Sequence, residues 1–157
     1  VGDGARQMLG NNGIITISKY CKRWKDARLM IIVLNNGDLN QVTWEQRIME
    51  GDPKFEGSQN VPDFPYADYA KMLGLDGIKI DKPEDIVPSL EHAFTLNRPV
   101  VIDVYTDPSV PPLPPHITFK EAKAFASSMI KGDPNTWDMI KQSWKDVIEN
   151  YLPHTQN

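Results

Sequence analysis

An aspartate set between two glycines, Gly2-Asp3-Gly4, is followed some thirty residues later by Asn35-Asn36-Gly37-Asp38. Directly before the asparagines stands Leu29 to Leu34 (LMIIVL), a continuous apolar run of strand length. Such a run fits a parallel strand buried on both faces, with its polar end at the sheet's C-terminal edge, where open α/β sheets bind ligands. Asp3 precedes a helix-forming stretch and is expected on the same edge of a neighbouring strand. A carboxylate, a carboxamide and a nearby main-chain carbonyl are all hard oxygen donors. Together they suit a magnesium ion that shares its remaining positions with a diphosphate. Each half also has a simpler reading: Asp3 as a helix N-cap, and Asn-Gly as a favoured turn pair. A carboxamide ending a buried strand needs partners for both its oxygen and its nitrogen, which favours reading the halves jointly.

The elements that must position these groups can be read from periodicity. Residues 10–24 form a predicted helix, with Ile14, Ile17, Ser18 and Cys21 on one face and Lys19, Lys22 and Arg23 away from it. Val42 to Met49 reads as a second helix, and Gly51 to Pro65, with two glycines and three prolines, as a long loop. Helix Tyr66 to Leu73 stops at Gly74, strand Gly77 to Ile80 follows, and helix Pro83 to Leu96 takes Asp81 as its candidate N-cap. Strand Val100 to Tyr105 completes an alternation that predicts an α/β fold, mostly parallel, with helices on both faces of the sheet. Residues 108–115 hold five prolines and read as an extended arm, leaving 116–157 as a helical C-terminal extension. In that extension Thr118 and Glu121 form a capping box for a helix to about Met129, and a last helix spans Thr136 to Tyr151.

Composition narrows the class. The chain has 157 residues, 40% hydrophobic and 24% charged, enough for one domain with a sizeable core. A net charge of −4 argues against a nucleic-acid partner, and the five cations between Lys19 and Arg28 are broken up by Tyr20, Cys21, Trp24 and Asp26. Cys21 is the only cysteine, so no internal disulfide forms and a reducing, cytoplasmic setting fits. No stretch has membrane-spanning length, and the polar face of the last helix, with Asp138, Asp146 and Glu149 beside Lys141 and Lys145, is too acidic for a good membrane anchor. His92, His116 and His154 are scattered and lack metal-ligand spacing. Only Val1 precedes the first turn, so the sequence is expected to continue upstream in a larger protein.

Gly2-Asp3-Gly4 followed by Asn35-Asn36 resembles the diphosphate-and-magnesium motif of thiamin-diphosphate-dependent enzymes. The likeness extends through Asp63 to Leu73 (DFPYADYAKML), Gly77 to Ile80, the helix near Ile86 to Leu96, and Pro99 to Val104, in the order of that family's C-terminal catalytic domain. Pro114 to Thr118 and Glu121 to Phe125 are most similar to the pyruvate oxidase and quinone-linked pyruvate dehydrogenase branch.

The resemblance implies a magnesium ion held by Asp3, Asn36 and the carbonyl of Asp38, with Gly2, Gly4 and Ala5 lining the diphosphate. It places Gln41, Val42 and Glu45 near the reacting centre, Val42 shaping a small acyl pocket and Glu45 relaying a proton or bonding the intermediate. The residues alone leave Glu45 equally readable as an exposed first-turn carboxylate, and Trp44 as a packed core side chain. The implied reaction is decarboxylation of a 2-oxo acid such as pyruvate, in a homodimer or homotetramer, with FAD in the full-length protein where the branch is oxidative. Acetolactate synthase, a non-oxidative decarboxylase, or an assembly domain that has lost its cofactor are the alternatives, and this part alone is expected to be inactive. Two departures stand out: the spacing between the motif halves is longer than usual, with the extra residues expected near Leu9 to Gly13, and Asp38 adds a charge whose side chain is expected to turn away from the metal.

Overall fold

Short segments rich in valine and isoleucine form the strands. In the computed structural model, which describes residues 1–110 and 119–141, β1 (Met30–Asn35), β2 (Asp76–Ile80) and β3 (Val100–Tyr105) make one parallel sheet in the order β1-β3-β2. The register sets Ile32 and Ile78 on either side of Ile102. A parallel bridge between Gly2 and Leu34, with the Leu34 N–H donating to the Val1 carbonyl at 2.8 Å, carries the pairing one step beyond β1.

The chain divides into two compact units, one of Val1–Asp38 with Val61–Thr106, the other of Leu39–Asn60 with residues from Asp107 onward. In the first, α1 comprises Asp3–Ala5, a π-helical turn at Arg6–Gly10, and Asn11–Tyr20. Ile14 from this segment and Cys21 in the 3₁₀ turn that follows it pack with Val33, Val101, and with Tyr66, Ala70 and Leu75 on and after a later helix, Tyr66–Met72. The opposite face of the sheet, with Ile80, Val100 and Ile102, is covered by Ala93 and Leu90 of the helix Ile86–Thr95. Helices on both faces of a parallel sheet are what the alternating pattern predicted.

The second unit, in its described part, is helical. Helix α2 (Asn40–Glu45) continues through a π turn at Gln46–Glu50, and α3 (Glu56–Gln59) is a single turn within the long loop. In chain order the helices of the first unit are then α4 (Tyr66–Met72) and α5 (Ile86–Thr95), followed by α6 (Phe119–Ile130) and a helical stretch at 136–141 in the second unit. Trp44, Ile48 and Met139 form its core, with Phe125 and Met129 packed against them.

Several boundaries differ from the sequence reading. The first helix starts at Asp3 rather than Gly10, because the Arg6 N–H closes a turn on the Gly2 carbonyl at 3.0 Å and an acidic residue suits a helix start. The extra residues near Leu9 to Gly13 do not break it; the wider π turn just ahead takes up one more residue than an α turn. Asp81 is not an N-cap: a 3₁₀ turn at Pro83–Asp85 intervenes, and Asp81 instead pairs with Lys79 at 3.6 Å. Gly74 does terminate α4, with φ +77°. Residues 111–115 of the proline arm, the Thr118 cap, His116, His154, and the last helix beyond residue 141 lie outside the described residues.

Candidate functional site

The C-terminal end of β1 and the N-terminal turn of α1 meet through one carboxylate. Asp3 is 2% exposed; its Oδ2 accepts the Gly37 N–H at 2.7 Å and its Oδ1 the Gly4 N–H at 2.9 Å. The Asn36 Oδ1 accepts the Asp38 N–H at 3.1 Å, closing a tight turn. Gly37 sits in that turn at φ +66°, a backbone conformation that side-chain-bearing residues rarely adopt, and its carbonyl accepts the Val61 N–H at 2.9 Å. Residues more than thirty positions apart are thus joined by a single hydrogen bond at the sheet edge where α/β proteins bind ligands.

The donor set fits a hard divalent cation. Each carboxylate oxygen of Asp3 keeps a lone pair beyond the hydrogen bond it accepts, and the Asn36 amide oxygen does likewise. No group of three His, Cys, Asp or Glu side chains converges among the described residues, so an ion here would draw on carboxamide and main-chain oxygens as well. Gly2 precedes the helix in extended conformation, Gly4 is buried and Ala5 is exposed on its first turn. Asp38 is itself buried, 4% exposed.

Gln41, Val42 and Glu45 lie in the second unit, on the outward side of α2. Val42 is 51% exposed, and the Gln41 Nε2 donates to the Glu45 Oε1 at 3.2 Å. Because α2 starts at Asn40, Glu45 ends its α-helical part and is not a first-turn carboxylate. Trp44 is a core residue: it stacks on Phe125 with centroids 5.7 Å apart, and its Nε1 donates to the Pro108 carbonyl at 3.2 Å.

The sequence reading passed over four buried charged side chains. Asp103, on the central strand and 1% exposed, accepts the Asn35 Nδ2–H at 3.1 Å. Burial raises its carboxyl above the usual range, opposed by hydrogen bonds from Asn35 and from the backbone N–H groups of Tyr66 and Ala67. A single acidic residue inside Pro99 to Val104 was the available signal. Arg6 is 8% exposed, and its Nε and Nη2 have no hydrogen-bond partner. Burial lowers its pKa. In the second unit Arg47 and Asp133 form a bidentate ion pair, 2.8 and 2.9 Å, whose side chains are 1% and 0% exposed.

A parallel α/β sheet that brings two distant segments together at its C-terminal edge belongs to the class of α/β domains that bind ligands there. Residues 1–104 match the family model for the thiamine pyrophosphate enzyme, C-terminal TPP binding domain. The chain belongs to that family. It is 35% identical over 130 residues to YdaP of Bacillus subtilis (strain 168), whose name describes it as thiamine-pyrophosphate-containing; the match covers 83% of this chain and 21% of that protein. It is 33% identical over 110 residues to the acetolactate synthase large subunit of Haemophilus influenzae, covering 69% of this chain and 18% of the relative. Among solved structures, a thiamine diphosphate-dependent 4-hydroxybenzoylformate decarboxylase from Rhodococcus jostii RHA1 superposes with a TM-score of 0.57 at 22% identity, over 68% of this chain and 19% of that one; the likeness is one of fold. The chain therefore spans about a fifth of the length of the relatives it matches.

Proposed function

We propose that this chain supplies the diphosphate and magnesium site of an enzyme that decarboxylates a 2-oxo acid, with pyruvate oxidase-like chemistry. The observation that carries the reading is the Asp3–Gly37 hydrogen bond, which draws the two halves of the oxygen donor set onto one sheet edge. Thiamin diphosphate, when bound, supplies the electron sink that decarboxylation needs. Asp3, Asn36 and the carbonyl of Asp38 would hold the metal, and the N-terminal turn of α1, with Gly2, Gly4 and Ala5, would receive the diphosphate where helix N–H groups favour negative charge. Val42 bounds the acyl pocket, and Glu45, oriented by Gln41, holds a proton for the reacting carbon. A flavin would sit on parts of the longer protein outside these residues, and assembly into a homodimer or homotetramer belongs to that longer protein.

The oxidative branch is supported by the residues from Pro114 to Phe125. The second reading, acetolactate synthase, is supported by the 33% identity to that enzyme. Incubating the full-length protein with pyruvate, thiamin diphosphate and magnesium separates them. Carbon dioxide release that rises with an artificial electron acceptor supports the first, and acetolactate formed without one supports the second. Calorimetry that shows no thiamin diphosphate binding would leave only the assembly-domain alternative.

A further inference from the structure

We infer that Asp103 is the positioning residue of the cofactor site, a buried carboxylate that fixes both halves of the metal-binding set without touching the metal. The inference rests on the cofactor reading above. The sheet register pairs Asp103 with Val33, one pleat step from Asn35, so the two polar side chains lie diagonally on the same sheet face as Val101. Asn35 is 3% exposed, and its Nδ2–H reaches the Asp103 Oδ1 at 3.1 Å. This holds the last residue of β1 immediately before the turn that carries Asn36 and Asp38.

The same carboxylate faces the start of α4, where the backbone N–H groups of Tyr66 and Ala67 favour its charged form. Tyr66 is fully buried, and its hydroxyl donates to the Asp3 carbonyl at 3.1 Å. The connections close on themselves. Asp103 holds Asn35, the adjoining turn presents the Gly37 N–H to the Asp3 carboxylate, Tyr66 holds the Asp3 main chain, and the first turn of α4 that carries Tyr66 faces Asp103. Groups that orient metal ligands from behind are worth about 10–100-fold in metal affinity. Asp103 is the member of this circuit that meets both the β1 end and α4 without belonging to the metal-binding set.

The test uses the full-length protein and measures the affinity for Mg²⁺ with thiamin diphosphate by calorimetry, together with a melting temperature, well below which each titration is run. Asp103→Asn turns one acceptor into a donor facing the Asn35 amide, and binding is expected to weaken about 10–100-fold in a protein that is still folded. Combining it with Asn35→Asp restores a donor–acceptor match: the new amide at position 103 donates to the new carboxylate, and its oxygen is left facing α4. That pair is expected to recover most of the affinity, which a loss of general stability would not. If Asp103→Asn does not fold, Asn35→Ala breaks the same hydrogen bond from the other end and should show a comparable loss. Unchanged affinity in either single variant, or a loss that the reciprocal pair leaves in place, overturns the role of Asp103 alone. An unsubstituted protein that binds no thiamin diphosphate overturns this inference and the proposed function together.

Discussion

Two buried arginines, one in each unit, meet opposite fates. Arg47 gives its guanidinium to both oxygens of Asp133 and to the Asn135 Oδ1 at 2.9 Å, and lies 5.0 Å from the Trp44 ring. Asp133 in turn accepts the backbone N–H groups of Lys54 and Asn135, each at 2.9 Å. Arg6 is nearly as buried, yet its Nε and Nη2 go unbonded, and its stem lies over Gly10, where an added Cβ would approach the Arg6 Cδ to 2.7 Å. The buried arginine therefore binds three segments of the second unit together, whereas that of the first is a local defect beside the site. A buried ion pair is firm only when every lone pair and proton is matched, and a lone buried donor set carries its full desolvation penalty.

The contrast is broken most severely at Asp133. Asp133→Asn leaves the Arg47 guanidinium without its charge partner, and a loss of about 3–5 kcal/mol is expected in urea unfolding of the full-length protein. Replacing both partners with apolar residues, Arg47→Met with Asp133→Leu, should lose much less, because no unpaired charge is left behind. Arg6→Met acts in the opposite direction. It removes two unsatisfied donors while keeping most of the side-chain volume, and a gain of about 1–3 kcal/mol in the same measurement is expected. A loss of stability at that position would show that the guanidinium is satisfied by something the protein holds in solution.

Acidity sharpens the comparison, since the two buried aspartates are displaced in opposite directions. Although burial alone would raise it, the Asp133 carboxyl is held below its ordinary value by Arg47 and the backbone N–H groups of Lys54 and Asn135. Its contribution is complete above the unfolded value of about 3.9 and is lost as the pH falls through the depressed folded value. Burial holds Asp103 above the ordinary value. Its contribution is complete below about 3.9 and is lost as the pH rises through the elevated folded value. Urea midpoints measured as the pH rises from 3 should therefore show the deficit of Asp133→Asn growing, while Asp103→Asn improves relative to the parent. Parallel curves for the two variants would contradict this.

What the sequence disclosed follows from how local each signal is. Strand β3 was bounded correctly because an apolar run between Pro99 and Thr106 needs no tertiary information. Ile14 and Cys21, assigned to the inner face of the helix predicted over 10–24, are buried at 0% and 7%. Upstream of them the helical period fails, because the π turn at Arg6–Gly10 shifts the phase, and nothing in residues 6–10 marks Arg6 as inward. The two halves of the oxygen set were legible as an acid flanked by glycines and an asparagine pair after a strand. The circuit behind them was not, since Asn35 and Asp103 are 68 positions apart and meet only through sheet register. Arg47 and Asp133, 86 positions apart, left no local trace either.

The smallest effect on stability is expected on the outward side of α2, and it separates scaffold from chemistry. Thr43, Trp44, Arg47 and Ile48 are committed to the interior of the second unit, whereas Gln41 and Glu45 touch each other at the surface. Glu45→Gln should therefore change the urea midpoint by no more than about 0.5 kcal/mol, the usual range for an exposed position. If Glu45 holds the proton of the proposed reaction, carbon dioxide release from pyruvate by the same variant should fall about 10²–10⁴-fold. Val42→Ala, with its side chain half exposed, should likewise leave folding nearly unchanged while shifting preference towards longer 2-oxo acids, by about tenfold or more for each added methylene. A residue that folding barely notices but turnover requires can owe its place only to what it faces during the reaction. Equal turnover by Glu45→Gln and the parent would reduce that side of α2 to ordinary solvent-facing surface.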